Sequence, residues 1–256
     1  MIRRFKAAAL RLLALGIVLA ACGPSAPALS DPNEIISQGM KATGEATSFH
    51  VDIQLTGTLS IEQTGGSFNL DGTSATGDFD VPNKLARLTF NAPGILGLTG
   101  EVIQIGSDSY VKTSLTGTQY MKSTTTAAGS VQTDPDEILN QVSGFLDKEG
   151  VETAKQDDVD CGDAKCYAVT LTVPTSVMAE AGSSSGVDIG EFLGDAVVLN
   201  LQFDRNTLRL TRVATDIDAG DVGTFGLAVT LSKYNEGVQV SPPPSDEITE
   251  GNGLDL

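Results

Sequence analysis

Cysteines at 22, 161 and 166 and a single histidine at 50 are the side chains of this 256-residue chain with the most to offer as nucleophiles, bases or soft ligands. Cys22 closes the run Leu19-Ala20-Ala21-Cys22-Gly23. Before it stand Arg3, Arg4, Lys6 and Arg11, and then Leu12 to Ala21, which is almost wholly apolar. That apolar run is too short to span about 30 Å of hydrocarbon comfortably. Small residues directly before a cysteine look like a bacterial lipobox. In that pattern the thiol is diacylated, residues 1–21 are removed and Cys22 becomes the first mature residue. Two acyl chains, at about 0.8 kcal/mol per buried CH₂, suffice for stable anchoring. Cys22 is therefore the expected lipid-attachment site, and the expected location is extracytoplasmic, on the bacterial cell membrane. The alternative is an ordinary secretory signal with an incidental cysteine.

The remaining pair lies in Asp160-Cys161-Gly-Asp-Ala-Lys-Cys166-Tyr167. An even pair in an oxidising compartment reads as a disulfide closing a small loop, worth about 2 kcal/mol. A zinc site would need two further ligands, and the chain has one histidine. His50 stands beside Ser48 on an alternating segment, where a solvated strand residue is the simple reading and a hydrolase base the sharp one. The carboxylates of Asp157, Asp158, Asp160 and Asp163 are the densest oxygen cluster, without the glycine and glutamate spacing of an EF-hand loop. The chain has no Walker loop, dinucleotide fingerprint or His-Glu-x-x-His. No catalytic residue, metal ligand or cofactor is assigned, and the chain is read as not an enzyme.

Charge narrows the partners. Removing residues 1–21 from 256 leaves 235 residues and takes the formal net charge from −17 to −21, because four basic residues go. A surface this acidic argues against nucleic acid and against electrostatic docking on anionic lipid. With no Trp and few aromatics, a stacking platform for sugars or single strands is not expected.

The elements follow from periodicity. After the leader (1–21), residues 22–30 read as a Pro/Ala/Ser tether, 31–240 as one folded unit, and 241–256 as a disordered acidic tail opened by three prolines. Asp31-Pro32 starts a helix carrying Ile35, Ile36 and Met40. Asp134-Pro135 starts a second, whose apolar face holds Ile138, Leu139, Val142, Phe145 and Leu146, with Gly150 placed to stop it. A weaker helical region lies between Pro174 and Gly194. Nearly everything else alternates, as in Phe49/Val51/Ile53/Leu55, Tyr167/Val169/Leu171/Val173, Val197/Leu199/Leu201/Phe203 and Phe225/Leu227/Val229/Leu231. Turn signals such as Asp71-Gly72, Thr116-Gly117 and Asp204-Arg-Asn206 separate these runs at hairpin distances. The sum is an α+β fold: about nine to eleven antiparallel strands, one face apolar, with two or three helices. Ten strands at about 4.8 Å make a sheet roughly 48 Å wide. Helices about 10 Å across cover only part of it. The apolar remainder must curl on itself, meet a partner or hold a ligand.

These parts, in this order, resemble the LppX/LprA/LprF/LprG lipoproteins best known from mycobacteria. The likeness rests on the lipobox at Cys22, on Ala46-Thr-Ser-Phe-His-Val51 opening the first strand, and on the hairpin Ile105-Gly-Ser-Asp-Ser-Tyr-Val-Lys112. It continues in Asp134-Pro135-Asp-Glu-Ile-Leu139 and in Val229-Thr-Leu-Ser-Lys-Tyr-Asn-Glu-Gly-Val-Gln-Val240 with its exit through Pro242-Pro243-Pro244. It spans roughly residues 30–244. The resemblance implies a strongly curved half-barrel, like that of LolA and LolB, around a hydrophobic cavity. It further implies an acylated lipid or glycolipid cargo carried across or within the envelope, with an envelope transporter as a further partner. Ile36, Met40, Val51, Ile138, Val142, Phe145 and Leu199 are the candidate cavity-lining residues, plain core packing being the alternative for each. Two other readings are kept: a non-catalytic structural or interaction lipoprotein of the cell surface, and a hydrolase dependent on His50.

Overall fold

The computed structural model describes residues 28–61, 66–123, 144, 146–182 and 194–250. Cys22 and the leader lie outside these residues. So do Ile138, Val142 and Phe145, and most of the second expected helix with them; of that helix Gly144 and Leu146 are described, and both are helical.

Helix α1 (Pro32–Gly44) begins where its capping residues dictate. The Asp31 carboxylate accepts from the amides of Asn33 (2.8 Å) and Glu34 (3.2 Å), satisfying donors that the first turn leaves free. A second helix, α2 (Thr175–Gly182), follows the strand that ends at Pro174. No described helix is long and apolar enough to cross a membrane.

The rest is one large, curved, unclosed sheet. Its strands are β1 (Ser48–Ile61), β2 (Gly66–Asn69), β3 (Thr73–Asp80), β4 (Leu85–Ala92), β5 (Leu98–Ile105), β6 (Asp108–Thr113) and β7 (Tyr120–Ser123). Then come β8 (Glu152–Lys155), β9 (Val159–Cys161), β10 (Ala164–Pro174), β11 (Ala196–Asp204), β12 (Leu210–Asp218), β13 (Gly223–Ser232) and β14 (Ile248–Glu250). The order across the sheet is β14-β7-β6-β5-β4-β3-β1-β13-β12-β11-β10-β8, with β2 on the far end of β1 and β9 on the start of β10. Every pair is antiparallel except β14 with β7. Among the described residues fourteen strands stand where the periodicity expects nine to eleven, since β2, β9 and β14 are only three or four residues long and too short to show alternation.

Two glycines let the pieces meet. Gly57 has φ +97°, and a Cβ there would overlap the Thr224 carbonyl. At this point β1 leaves β3, which it pairs up to Leu55, and takes β2 from Thr58 onward. Gly39 lets α1 approach β11 so closely that a Cβ would overlap the Phe203 ring. Around that contact Ile35, Ile36, Val169, Val173 and Phe203 are sealed from solvent, with Leu171, Leu201 and Leu210 beside them.

The segment Lys233-Tyr234-Asn235 is a clip. The Tyr234 hydroxyl donates to the Leu210 carbonyl, and Asn235 Oδ1 accepts from the Thr47 amide at 2.8 Å. Burial pushes the Tyr234 hydroxyl far above its ordinary pKa. The clip joins the start of β1 to β12 and β13.

The tail expectation requires correction. Residues 241–250 are not a disordered tail: a turn at Ser245–Glu247 leads into β14, which pairs in parallel with Tyr120–Lys122 of β7. Composition weighed the prolines and acids, whereas Val240 and Ile248 decide the outcome by packing on Ile103, Tyr110 and Tyr120. The β14 backbone also occupies the edge that β7 would otherwise present. The ordered unit therefore extends to 250, past the expected 240; 251–256 lie outside the described residues.

Candidate functional site

Residues opposite one another in the ladder share a face, so the registers trace what lies beside what. One row runs Val169–Leu201–Val213–Val229–Ile53–Ala75–Phe90–Gly100 across eight strands. A second runs Leu231–Val51–Gly77–Leu88–Val102–Val111–Met121. Both belong to the inner face, the one α1 covers, and both are apolar from end to end.

Cover over these rows is uneven. Helix α1 packs on β8, β10 and β12, and α2 packs on β10. There the inner face is a solid core. Further along the inner face, among the described residues, Ile53, Leu55, Leu88, Phe90, Val102, Val111, Leu227 and Val229 are half-buried. Phe90 lies across Gly100, where a Cβ would collide with its ring. Into this apolar field the sheet sets two hydroxyls, Thr73 Oγ1 and Thr215 Oγ1, both buried and without a hydrogen-bond partner.

The seven candidate cavity residues fall into different places. Ile36 is fully buried against the main core, Val51 is 6% exposed on β1, and Met40 and Leu199 are partly buried neighbours of the core. Ile138, Val142 and Phe145 lie outside the described residues. The inward residues of β3–β6, including Leu88, Phe90 and Val102, were not singled out from the sequence. Their alternation with Arg87, Thr89 and Glu101 is the signal that marks them.

Of the groups that chemistry would need, His50, Ser48, Asp158 and Asp160 each have a partner within the chain. His50 Nδ1 lies 2.7 Å from Asp78 Oδ1 on β3, and Nε2 is 3.2 Å from Thr76 Oγ1 and 3.4 Å from Asp52. Ser48 donates instead to the Glu236 carbonyl at 2.6 Å, so the serine and histidine are not hydrogen-bonded to each other. Asp158 receives Lys155 at 2.8 Å and Arg205 at 3.0 Å, and Asp160 receives Lys165 at 2.6 Å. Two of the four carboxylates of the acidic cluster are thus held in ion pairs, and Lys155 and Arg205 also lie over the Tyr167 ring. Cys161 and Cys166 form the expected disulfide, with Cα atoms 5.9 Å apart, between β9 and β10.

A second network, which the sequence reading did not single out, lies on the outer face of β4–β7 beneath β14. Glu101 is only 9% exposed; its carboxylate accepts from Arg87 Nε at 2.6 Å and from the Tyr120 hydroxyl. Burial works against its charge, but the bonds from Tyr120 and Arg87 and the charges of Arg87 and Lys112 outweigh it and hold the carboxyl below its ordinary range. Burial and the Glu101 partnership push Tyr120 up, and Lys112 is raised by its contact with Tyr120. Glu101 directly opposite Lys112, and Arg87 on the same face, is the cross-strand signal that marks this cluster.

No protein-family model and no curated protein matches this chain. Solved structures do. The chain is similar to the lipoprotein LppX of Mycobacterium tuberculosis with a TM-score of 0.51 and 19% identity, over 83% of this chain and 100% of that one. It is similar to LprF of Mycobacterium bovis with a TM-score of 0.56 and 18% identity, over 84% and 98%. A wide unclosed sheet, helices on one face and this overlap together give the chain the LppX/LprF-like lipoprotein fold.

Proposed function

We propose that the protein binds acylated lipid or glycolipid against the open part of its inner face and carries it within or across the cell envelope. The observation that carries this reading is the apolar row that continues from the packed core onto β13, β1 and β3–β6, where its residues are only half-buried. Acyl chains are the ligand whose chemistry matches such a surface, since they need a dry, apolar wall and no hydrogen-bond partners along most of their length. The polar face, with His50, Asp52 and Asp78, stays wet. Diacylated Cys22, after loss of residues 1–21, would hold this container at the outer side of the bacterial cell membrane, near its lipid source. An envelope transporter that delivers or receives the cargo belongs to the same reading.

The test is mass spectrometry of organic extracts of the protein purified from its native host, beside the variant L88E/F90E. The expected result is a multi-acyl species in the native protein and its loss from the variant, with the fold of both verified by circular dichroism. Repeated absence of lipid from the native protein overturns the proposal. A stoichiometric protein partner crosslinked in its place would favour a surface interaction role instead.

A further inference from the structure

Most large apolar side chains of the described residues are at least partly covered; three of the exceptions share one end of the sheet. Leu96 is 92% exposed, Leu115 77% and Ile95 38%. Ile95 and Leu96 form the tip of the β4–β5 hairpin, and Leu115 the tip of the β6–β7 hairpin. Strands β5 and β6 are neighbours, and the Ser114 amide donates to the Thr99 carbonyl at 2.8 Å, so the two tips stand side by side. Both project from the half of the sheet whose inner face is open.

These tips differ from the rest of an acidic chain in two ways. No charged residue occurs between Arg87 and Glu101 or between Lys112 and Lys122, in a sequence of net charge −17. The charges that bound these stretches lie further along the strands, where Arg87 pairs with Glu101 and Lys122 with Asp108. Carboxylates flank the tips without entering them: Asp71 in the β2–β3 turn accepts from the Gly57 amide at 2.8 Å, and Asp246 and Glu247 stand in the turn that leads into β14 beside the second hairpin. The loops also satisfy part of their own backbone. Ile95 donates to Ala92, Gly97 to Pro93 and Leu98 to Ile95. In the second tip Thr116 donates to the Thr113 carbonyl, and Thr113 donates back to Thr116 Oγ1 at 3.0 Å. Amides bonded in this way do not resist transfer out of water, the usual obstacle to putting a loop into lipid. Leu96, moreover, is held at φ +54°, a conformation a leucine rarely adopts, with its side chain in solvent.

We propose that these two hairpin tips are a bilayer-docking device. Leu96, Leu115 and Ile95 enter the interfacial and upper acyl region of a membrane and set the open end of the sheet against it. A protein partner fits the surface less well: three side chains on two narrow turns fall far short of the ~800 Å² per partner that a specific interface needs. An uncharged tip also solves the problem raised by the net charge, since the acidic body is repelled from anionic lipid while the tips are not. Docking does not require cargo and stands apart from the lipid-carrier reading.

The chain has no tryptophan, so a single one reports its own surroundings. Leu115→Trp is compared with Ser107→Trp, which sits in the β5–β6 turn at the opposite end of the strands, each in the full chain. The host vesicles are phosphatidylcholine with acyl chains brominated near the middle, without added cargo lipid. The expected result is blue-shifted emission and bromine quenching for the reporter at 115, and water-like, unquenched emission for the one at 107. Adding Leu96→Asp to Leu115→Trp should remove the quenching and leave the far-ultraviolet circular dichroism unchanged. Equal, water-like emission at both positions overturns the proposal. A blue shift at 115 that follows protein concentration but escapes bromine also overturns it and assigns the tips to a second copy. Quenching that survives Leu96→Asp overturns it too, by tracing insertion to the introduced ring alone.

Discussion

Strands β10–β12 and strands β3–β6 carry the same alternation in the same sheet, yet one set is sealed and the other is not. Under α1, Ile35, Ile36, Val169 and Phe203 have lost all or nearly all contact with solvent, and Gly39 lets the helix come close enough to do this. On β3–β6, Leu88, Phe90 and Val102 keep part of their surface accessible. The outer faces differ in the opposite sense. Behind β3 and β1 the polar side chains of His50, Asp78 and Asp52 pair at the surface, whereas behind β5–β7 Ile103, Tyr110 and Tyr120 are buried under Val240 and Ile248. Burial here is thus not a property of a strand's pattern. It depends on which distant segment crosses the strand, and among the described residues none crosses β3–β6 on the inner face as α1 crosses β10 and β12.

The contrast can be broken most directly by cutting equal side chains from each half. Phe203→Ala should lower stability by about 3–5 kcal/mol, read from the denaturant midpoint, because a ring sealed on every side leaves a cavity. Phe90→Ala should cost less than about 1.5 kcal/mol, since a half-exposed ring gains less from folding. Equal losses would mean that the two halves are packed alike and that the open face is an ordinary core.

A smaller effect is expected at the edge of the sealed half. Replacing Cys161 and Cys166 together with serine should lower stability by about 2 kcal/mol, the low end for a disulfide, because the closed loop spans a sequence separation of only five. Cargo occupancy on the open half should not change. A loss of lipid in this variant would link the two halves more tightly than the sheet order suggests.

The smallest effect tests the outer side of the open half. The Glu101 carboxyl is held below its ordinary value of 4.5 in the folded chain. Its contribution is therefore fully present above pH 4.5 and is lost as pH falls through the lowered folded value. Glu101→Gln should cost about 1 kcal/mol at pH 7, discounted because Arg87 is half exposed, and should flatten the acid limb of the stability profile. An acid limb of unchanged slope would show that some other carboxylate governs it.

Much of the local structure was legible from residue order. Asp31-Pro32 marks the start of α1 because a carboxylate and a proline suit the first turn whatever the tertiary fold. The two cysteines five residues apart pair because their spacing brackets a tight turn at Gly162. The alternation of Phe49 to Leu55 and of Tyr167 to Val173 specifies extended chain with one apolar side, since successive side chains in a strand point to opposite faces. The anchor expected at Cys22 rests on the basic and apolar residues that precede it in the chain.

Other features were not written locally. β14 consists of three residues behind a run of prolines, and only the free edge of β7 and the pocket around Ile103 and Tyr120 make a strand of it. Glu101, Arg87 and Tyr120 converge because β4 to β7 lie side by side. Leu96 and Leu115, nineteen residues apart, become neighbours by the same pairing. Nearest-neighbour chemistry sets which way a side chain faces, through the two-residue period of the strand. Whether that face is covered, left open or aimed at a membrane depends on contacts between residues far apart in the chain, and these exist only once the sheet has formed.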